Sequence, residues 1–135
     1  MKRLVLDAGP LIALVSQKDS YHEIAKLGFS RLSNEFGEVI TPLPIVFEVY
    51  KFVSRRESRQ AAQYFLKILQ QETVISIINQ DDFLIMLDLV TCSPDWSGSL
   101  EDASVLVVAH HFESPVWTID YKDLGFFKNI DFWTP

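Results

Sequence analysis

Cysteine is almost missing from this sequence. Cys92 is the only one, which excludes an internal disulfide framework and any Cys-only zinc site. That scarcity suits a reducing compartment. Basic residues are also in deficit: 12 Lys and Arg stand against 18 Asp and Glu, a formal net charge of −6. Such a balance argues against a broad cationic face for non-specific DNA binding, but allows a local basic strip or an acidic pocket that attracts metal ions. No apolar stretch is long enough to cross a bilayer; the run 103–109 is short and contains Ser104. Met1-Lys2-Arg3 followed by apolar residues imitates a signal peptide, but Asp7, Gly9 and Pro10 interrupt the hydrophobic segment. A soluble cytoplasmic protein is expected. Low-complexity tracts, internal repeats and linkers are absent as well, so residues 1–135 are expected to form a single domain.

What is present is an alternation of two patterns. Short apolar or β-branched runs predict strands at Leu4-Val5-Leu6, Glu38-Val39-Ile40-Thr41, Val74 to Ile78, Val116 to Ile119 and around Ile130 to Phe132. Between them lie helical spacings. Pro10 suits a first helical turn, where its missing N–H costs little. Ser20 with Glu23 predicts a capping box, Ile45 to about Arg56 a helix, and Ser58 the cap of another. Helices are also expected over 81–90 and from Ser99 toward His111, separated by a loop from Ser93 to Gly98. Strands alternating with helices predict an α/β fold with a mostly parallel central sheet covered on both faces.

In such sheets, ligands gather beyond the carboxyl ends of the strands. Asp7 and Asp120 each follow a predicted strand, where an Asx-type turn is the alternative explanation. Glu48 lies among Ile45, Val46, Phe47, Val49 and Tyr50, where an unpaired charge is costly; pairing with Lys51 or a narrow polar stripe with Arg55 would account for it equally. Asp102 sits in the first turn after Ser99, so it can cap the helix, coordinate a ligand, or do both. If these four acids converge, their repulsion calls for a cation. Two carboxylates about 4 Å apart repel by roughly 4 kcal/mol at an effective dielectric of 20. Hard divalent ions, Mg²⁺ or Mn²⁺, are the natural relief, and metal-assisted phosphodiester hydrolysis is the chemistry an all-carboxylate site supports.

Four segments, in order and spanning essentially the whole chain, resemble the PIN-domain family: Leu4-Val5-Leu6-Asp7-Ala8-Gly9-Pro10-Leu11, Pro44-x-x-x-Glu48, Leu100-Glu101-Asp102-Ala103 and Thr118-Ile119-Asp120. Within that family the spacing looks most like the VapC-type toxins of toxin–antitoxin systems. The resemblance implies a PIN-like three-layer α/β/α sandwich and a ribonuclease dependent on Mg²⁺ or Mn²⁺. It places Asp7, Glu48, Asp102 and Asp120 at the family's acidic positions and Thr118 at a supporting hydroxyl position. Ala8 departs from the family, which often has Ser or Thr there. Asp123 is either a supplement to Asp120 or a solvated loop residue. A homodimer and a cognate antitoxin protein are the implied partners, with RNA as substrate and no membrane.

Lys51, Arg55, Arg56 and Arg59 concentrate a third of the positive residues just after Glu48. Lys51 and Arg55 are i,i+4 neighbours, and Arg59 extends the strip if helix continues through Glu57-Ser58. Lys51, Arg55 and Arg59 are thus candidate contacts to an RNA backbone, or else a solvated helix face paired with local acids. His22, His110 and His111 lack the spacing of a ligand set, and Trp96, Trp117 and Trp133 are assigned to packing. A Mg²⁺-dependent phosphatase is the rival enzymatic reading, weakened because Gly9 stands where a second Asp is wanted. A non-catalytic binding module of the same fold is the other alternative.

Overall fold

The computed structural model describes residues 1–135. Four strands form one all-parallel sheet in the order β3-β2-β1-β4: β1 (Arg3–Leu6), β2 (Glu38–Pro42), β3 (Val74–Ser76) and β4 (Val116–Trp117). Helix pairs make the crossovers: α1 (Ala8–Val15) and α2 (His22–Glu35), α3 (Leu43–Arg56) and α4 (Arg59–Glu72), then α5 (Gln80–Cys92) and α6 (Leu100–Phe112). The short α7 (Tyr121–Leu124) follows β4. The expected α/β class with a parallel sheet is therefore the observed one.

Leu4, Val5 and Leu6 are wholly buried, as a strand covered on both faces requires. The run 103–109 owes its length to a different setting. It belongs to α6, whose residues from Ala103 to Ala109 are all buried, so this helix needs no polar face. Its one buried hydroxyl, Ser104 Oγ, donates to the Glu101 carbonyl at 2.6 Å.

Several boundaries moved. The Ser20 capping box does not form: Tyr21 is the N-cap of α2 without a side-chain bond, and Asp19 Oδ1 instead accepts from the Tyr21 amide at 2.8 Å. Helix α3 begins at Leu43, with Pro44 in its first turn, where no intrahelical N–H is needed. It ends at Arg56 because Glu57 leaves helical geometry and Ser58 caps α4, so the helix does not continue through 57–58. Strand β3 stops at Ser76 and β4 at Trp117. The expected last strand reduces to a single bridge between Val116 and Phe132. Helix α7, four residues long, was hidden from periodicity by its brevity.

Two glycines are fixed by close approach. A Cβ on Gly28 would lie 2.3 Å from the Trp117 ring, and one on Gly98 would lie 2.0 Å from Trp96. Both indoles are buried, Trp117 beneath α2 and Trp96 against Phe127. The packing role assigned to these tryptophans is the one they have.

Candidate functional site

From β1 the chain moves outward to β2 and β3, then returns to the other side of β1 as β4. Sheets of this kind bind ligands where the strand order reverses, here at the carboxyl ends of β1 and β4. Asp7 follows β1 directly, and its amide donates to the Trp117 carbonyl at 3.1 Å, tying the two strand ends together. Thr118 and Asp120 follow β4. The N-terminal turn of α6 brings Asp102, and α3, packed against α1 and α6, brings Glu48.

Asp7 is buried and precedes α1 without capping it. Its Oδ2 accepts a hydrogen bond from Thr118 Oγ1 at 2.8 Å, and the same hydroxyl oxygen accepts from the Asp120 amide at 2.9 Å. Burial pushes the Asp7 carboxyl up to about 6; the Thr118 hydroxyl and the Ala8 amide oppose the rise, while Asp102 and Asp120 add to it. Glu48 rises to about 7, first through burial and then through the charges of Asp7, Glu101 and Asp102. Asp102 is also raised, chiefly by burial, with Asp123 and Asp120 contributing and its bonds to Ser99 opposing. Asp7, Glu48, Asp102 and Asp120 thus share one negative field. None of the three salt bridges in the molecule reaches it, so the Lys51 pairing considered for Glu48 is not made, while Glu48 and Arg55 do share one open face of α3.

The alternatives for the other two acids are realised. Asp102 Oδ2 accepts from the Ser99 amide at 2.9 Å while Ser99 Oγ accepts from the Asp102 amide at 3.1 Å, a complete capping box. Asp120 Oδ1 accepts from the Lys122 amide at 3.2 Å, capping α7. Each cap takes one oxygen of its carboxylate, Oδ2 of Asp102 and Oδ1 of Asp120. No three acids, histidines or cysteines stand in an arrangement that would itself enclose a metal ion. Asp123 is anchored, not loose: its Oδ1 accepts from Ser97 Oγ at 3.0 Å and its carbonyl from Trp96 Nε1 at 2.9 Å.

The chain superposes on VapC20 of Mycobacterium tuberculosis, a sarcin–ricin loop cleaving toxin, with a TM-score of 0.81 at 16% identity over 98% of this chain and 99% of the other. The chain has the PIN-like fold of VapC structures. VapBC2 of Rickettsia felis, bound to promoter DNA, matches with a TM-score of 0.76 at 12% identity, covering 97% of each chain. VapBC-1 of nontypeable Haemophilus influenzae gives 0.71 at 13% identity over 98% of this chain and 97% of that one. No family model matches the sequence, and no curated protein does so either.

Beside the acids, α3 lines an open cleft of about 540 Å³ with Phe47, Glu48, Lys51, Phe52, Arg55 and Arg56, and Glu101 closes it from α6. Lys51 and Arg55 therefore flank Glu48. Arg59 does not line this cleft: it opens α4 beyond the break at Glu57. Arg56 takes its place, a consequence of where the helix ends. Sequence reasoning also passed over Glu101, whose signal was its position beside Asp102, and the exposed Phe47 and Phe52. The three histidines make no metal cluster.

Proposed function

We propose that this protein is the ribonuclease toxin of a type II toxin–antitoxin system, hydrolysing RNA phosphodiester bonds with Mg²⁺ or Mn²⁺ at Asp7, Glu48, Asp102 and Asp120. One observation carries the reading. Asp7, buried at the strand-order reversal, lies in the combined field of carboxylates from distant parts of the chain, none of which is held in an ion pair.

The donors are all hard oxygens, which suits Mg²⁺ or Mn²⁺ and not zinc. Mg²⁺ keeps several of its waters and needs only one or two direct carboxylates beside substrate phosphate, so a fully enclosing protein cage is not required. When bound, the ion would activate water and neutralise charge on the scissile phosphate. Asp7 and Glu48, which have no local capping duty, are the direct ligands in this reading; Asp102 and Asp120 complete the field and orient water. Thr118 fixes the Asp7 carboxylate, and Asp123 supports the Asp102 side. Lys51 and Arg55 hold the RNA backbone.

The VapBC structures that share this fold are toxin–antitoxin complexes, which supports a cognate antitoxin as partner. Exposed apolar residues, Ile24 and Leu27 on α2 and Phe83, Leu84 and Ile85 on α5, offer surface for that partner and for a second copy in a homodimer. No helix is long and apolar enough to cross a membrane. Action on RNA in the cytoplasm fits this reading.

The deciding experiment is cleavage of a panel of RNAs with and without Mg²⁺ or Mn²⁺, using Glu48→Gln and Asp7→Asn as controls. Metal-dependent cutting lost in both variants supports the reading. Phosphate release from small monoesters without RNA cutting would favour a phosphatase. The second reading, a non-catalytic module of this fold, draws support from the capping bonds that restrain Asp102 and Asp120; RNA binding without cutting would favour it.

A further inference from the structure

Phe47 is 65% exposed and Phe52 is 40% exposed, on a helix whose opposite side is core. Rings left in water on a helix surface call for an explanation when they share a cleft with charge. On α3 the aromatic and basic residues interleave at i,i+4 spacing: Phe47, Lys51 and Arg55 in one row, Glu48, Phe52 and Arg56 in the next. The second row runs about 12 Å from Glu48 toward the end of the helix, at ~1.5 Å per residue. The Arg56 guanidinium stands 5.3 Å from the Phe52 ring centroid, so one cation is already held against an aromatic face.

We propose that Phe47 and Phe52 form a stacking shelf for unpaired bases of single-stranded RNA, with Lys51, Arg55 and Arg56 holding the adjoining phosphates. The inference rests on the ribonuclease reading and adds to it the two side chains that receive the bases. Bases within a duplex are stacked on one another and cannot reach a ring on the protein; bases of a single strand can, with little regard for sequence. The three cations complement a phosphate backbone. The cleft, about 540 Å³ and bounded by Glu48 and Glu101, shares Glu48 with the proposed metal site. A strand seated on the shelf would therefore enter the acids from the α3 side.

The test measures binding of a short fluorescent single-stranded oligoribonucleotide to the full chain in EDTA, where no cutting takes place. Phe47→Ala and Phe52→Ala are each expected to weaken binding about tenfold without changing its salt dependence. Phe52→Trp should keep or tighten it. Lys51→Ala and Arg55→Ala should instead flatten the salt dependence. The same strand with abasic sugars should bind the unaltered protein as weakly as the intact strand binds the alanine variants. Both rings are exposed, so thermal melting of each variant should match that of the unaltered chain.

Equal affinity for intact and abasic strands overturns the shelf, as does unchanged affinity in the two alanine variants; the rings then belong to a protein contact. Cleavage with Mn²⁺ is scored separately. Cutting that depends on Asp7 while binding ignores the rings overturns the shelf alone. Base-dependent binding by a protein that never cuts supports the shelf and overturns the ribonuclease reading.

Discussion

Asp7 and Thr118 are 111 residues apart in the chain and joined by a 2.8 Å hydrogen bond at the buried junction of β1 and β4. The hydroxyl donates to the carboxylate and at the same time accepts from the Asp120 amide, so one side chain sets the relation between two acids. This makes Thr118 a positioning residue.

Thr118→Val removes that hydroxyl with little change of shape. The Asp7 carboxyl should then titrate still higher, since the bond that lowers it is gone. Metal-dependent RNA cleavage is expected to fall about 10- to 100-fold, the usual range for partners of metal ligands. Its pH profile should shift to higher pH. Equal rates and equal profiles for the two proteins would show that the hydroxyl positions nothing.

Asp7→Asn should abolish metal-dependent cleavage and leave the fold intact. It should also raise the melting temperature of the metal-free protein at pH 8, because a buried charge is replaced by a neutral group. A lower melting temperature at that pH would mean the carboxylate stabilises the fold after all. Differential scanning calorimetry in EDTA decides.

Stability of the metal-free protein should fall as pH rises. Asp7 moves from 3.8 to about 6 on folding and Glu48 from 4.5 to about 7, so both bind protons more tightly in the folded state. Their contribution is full below the unfolded values and is lost as pH rises through the folded ones. For Asp7 the loss is on the order of 3 kcal/mol, at about 1.4 kcal/mol per unit. Melting curves in EDTA should therefore worsen between about pH 4 and pH 7. Mg²⁺ should restore stability chiefly above pH 7, where the ligands are ionised. No effect of Mg²⁺ at pH 8 would count against the metal site.

Gly28→Ala sets two effects in opposition. Alanine in place of glycine within a helix is worth about 1 kcal/mol in its favour. Here the new methyl would stand 2.3 Å from the buried Trp117 ring, which also packs on Phe29 and Trp133. Overpacking costs typically about 1 to 3 kcal/mol, so net destabilisation is expected. Chemical denaturation of the variant checks the sign.

Much of the scaffold was legible from local pattern. The apolar run Leu4-Val5-Leu6 suits a doubly covered strand and forms one, and Ser58 and Ser99 mark their helix starts through capping chemistry that needs no distant partner. The errors were equally local in origin. Ser20 does not cap α2 because Asp19 closes a turn around it, accepting from the Tyr21 amide with its side chain and from the His22 amide with its carbonyl, so the helix starts one residue later. Arg59 joins the basic strip only if helix continues through Glu57-Ser58, and the Ser58 cap legible in the same stretch is what forms instead.

The acidic positions themselves were written in the sequence, since a carboxylate after a buried strand or inside an apolar helix stands out one residue at a time. Their relation to each other was not. Tertiary structure decided that β4 returns beside β1, which brings Thr118 to Asp7. It also decided that Asp102 and Asp120 each give one oxygen to a helix cap, while Glu48 has no ion-pair partner. Chain order constrains neighbours a few residues apart. Desolvation and charge repulsion act through space, and only the folded chain sets those distances.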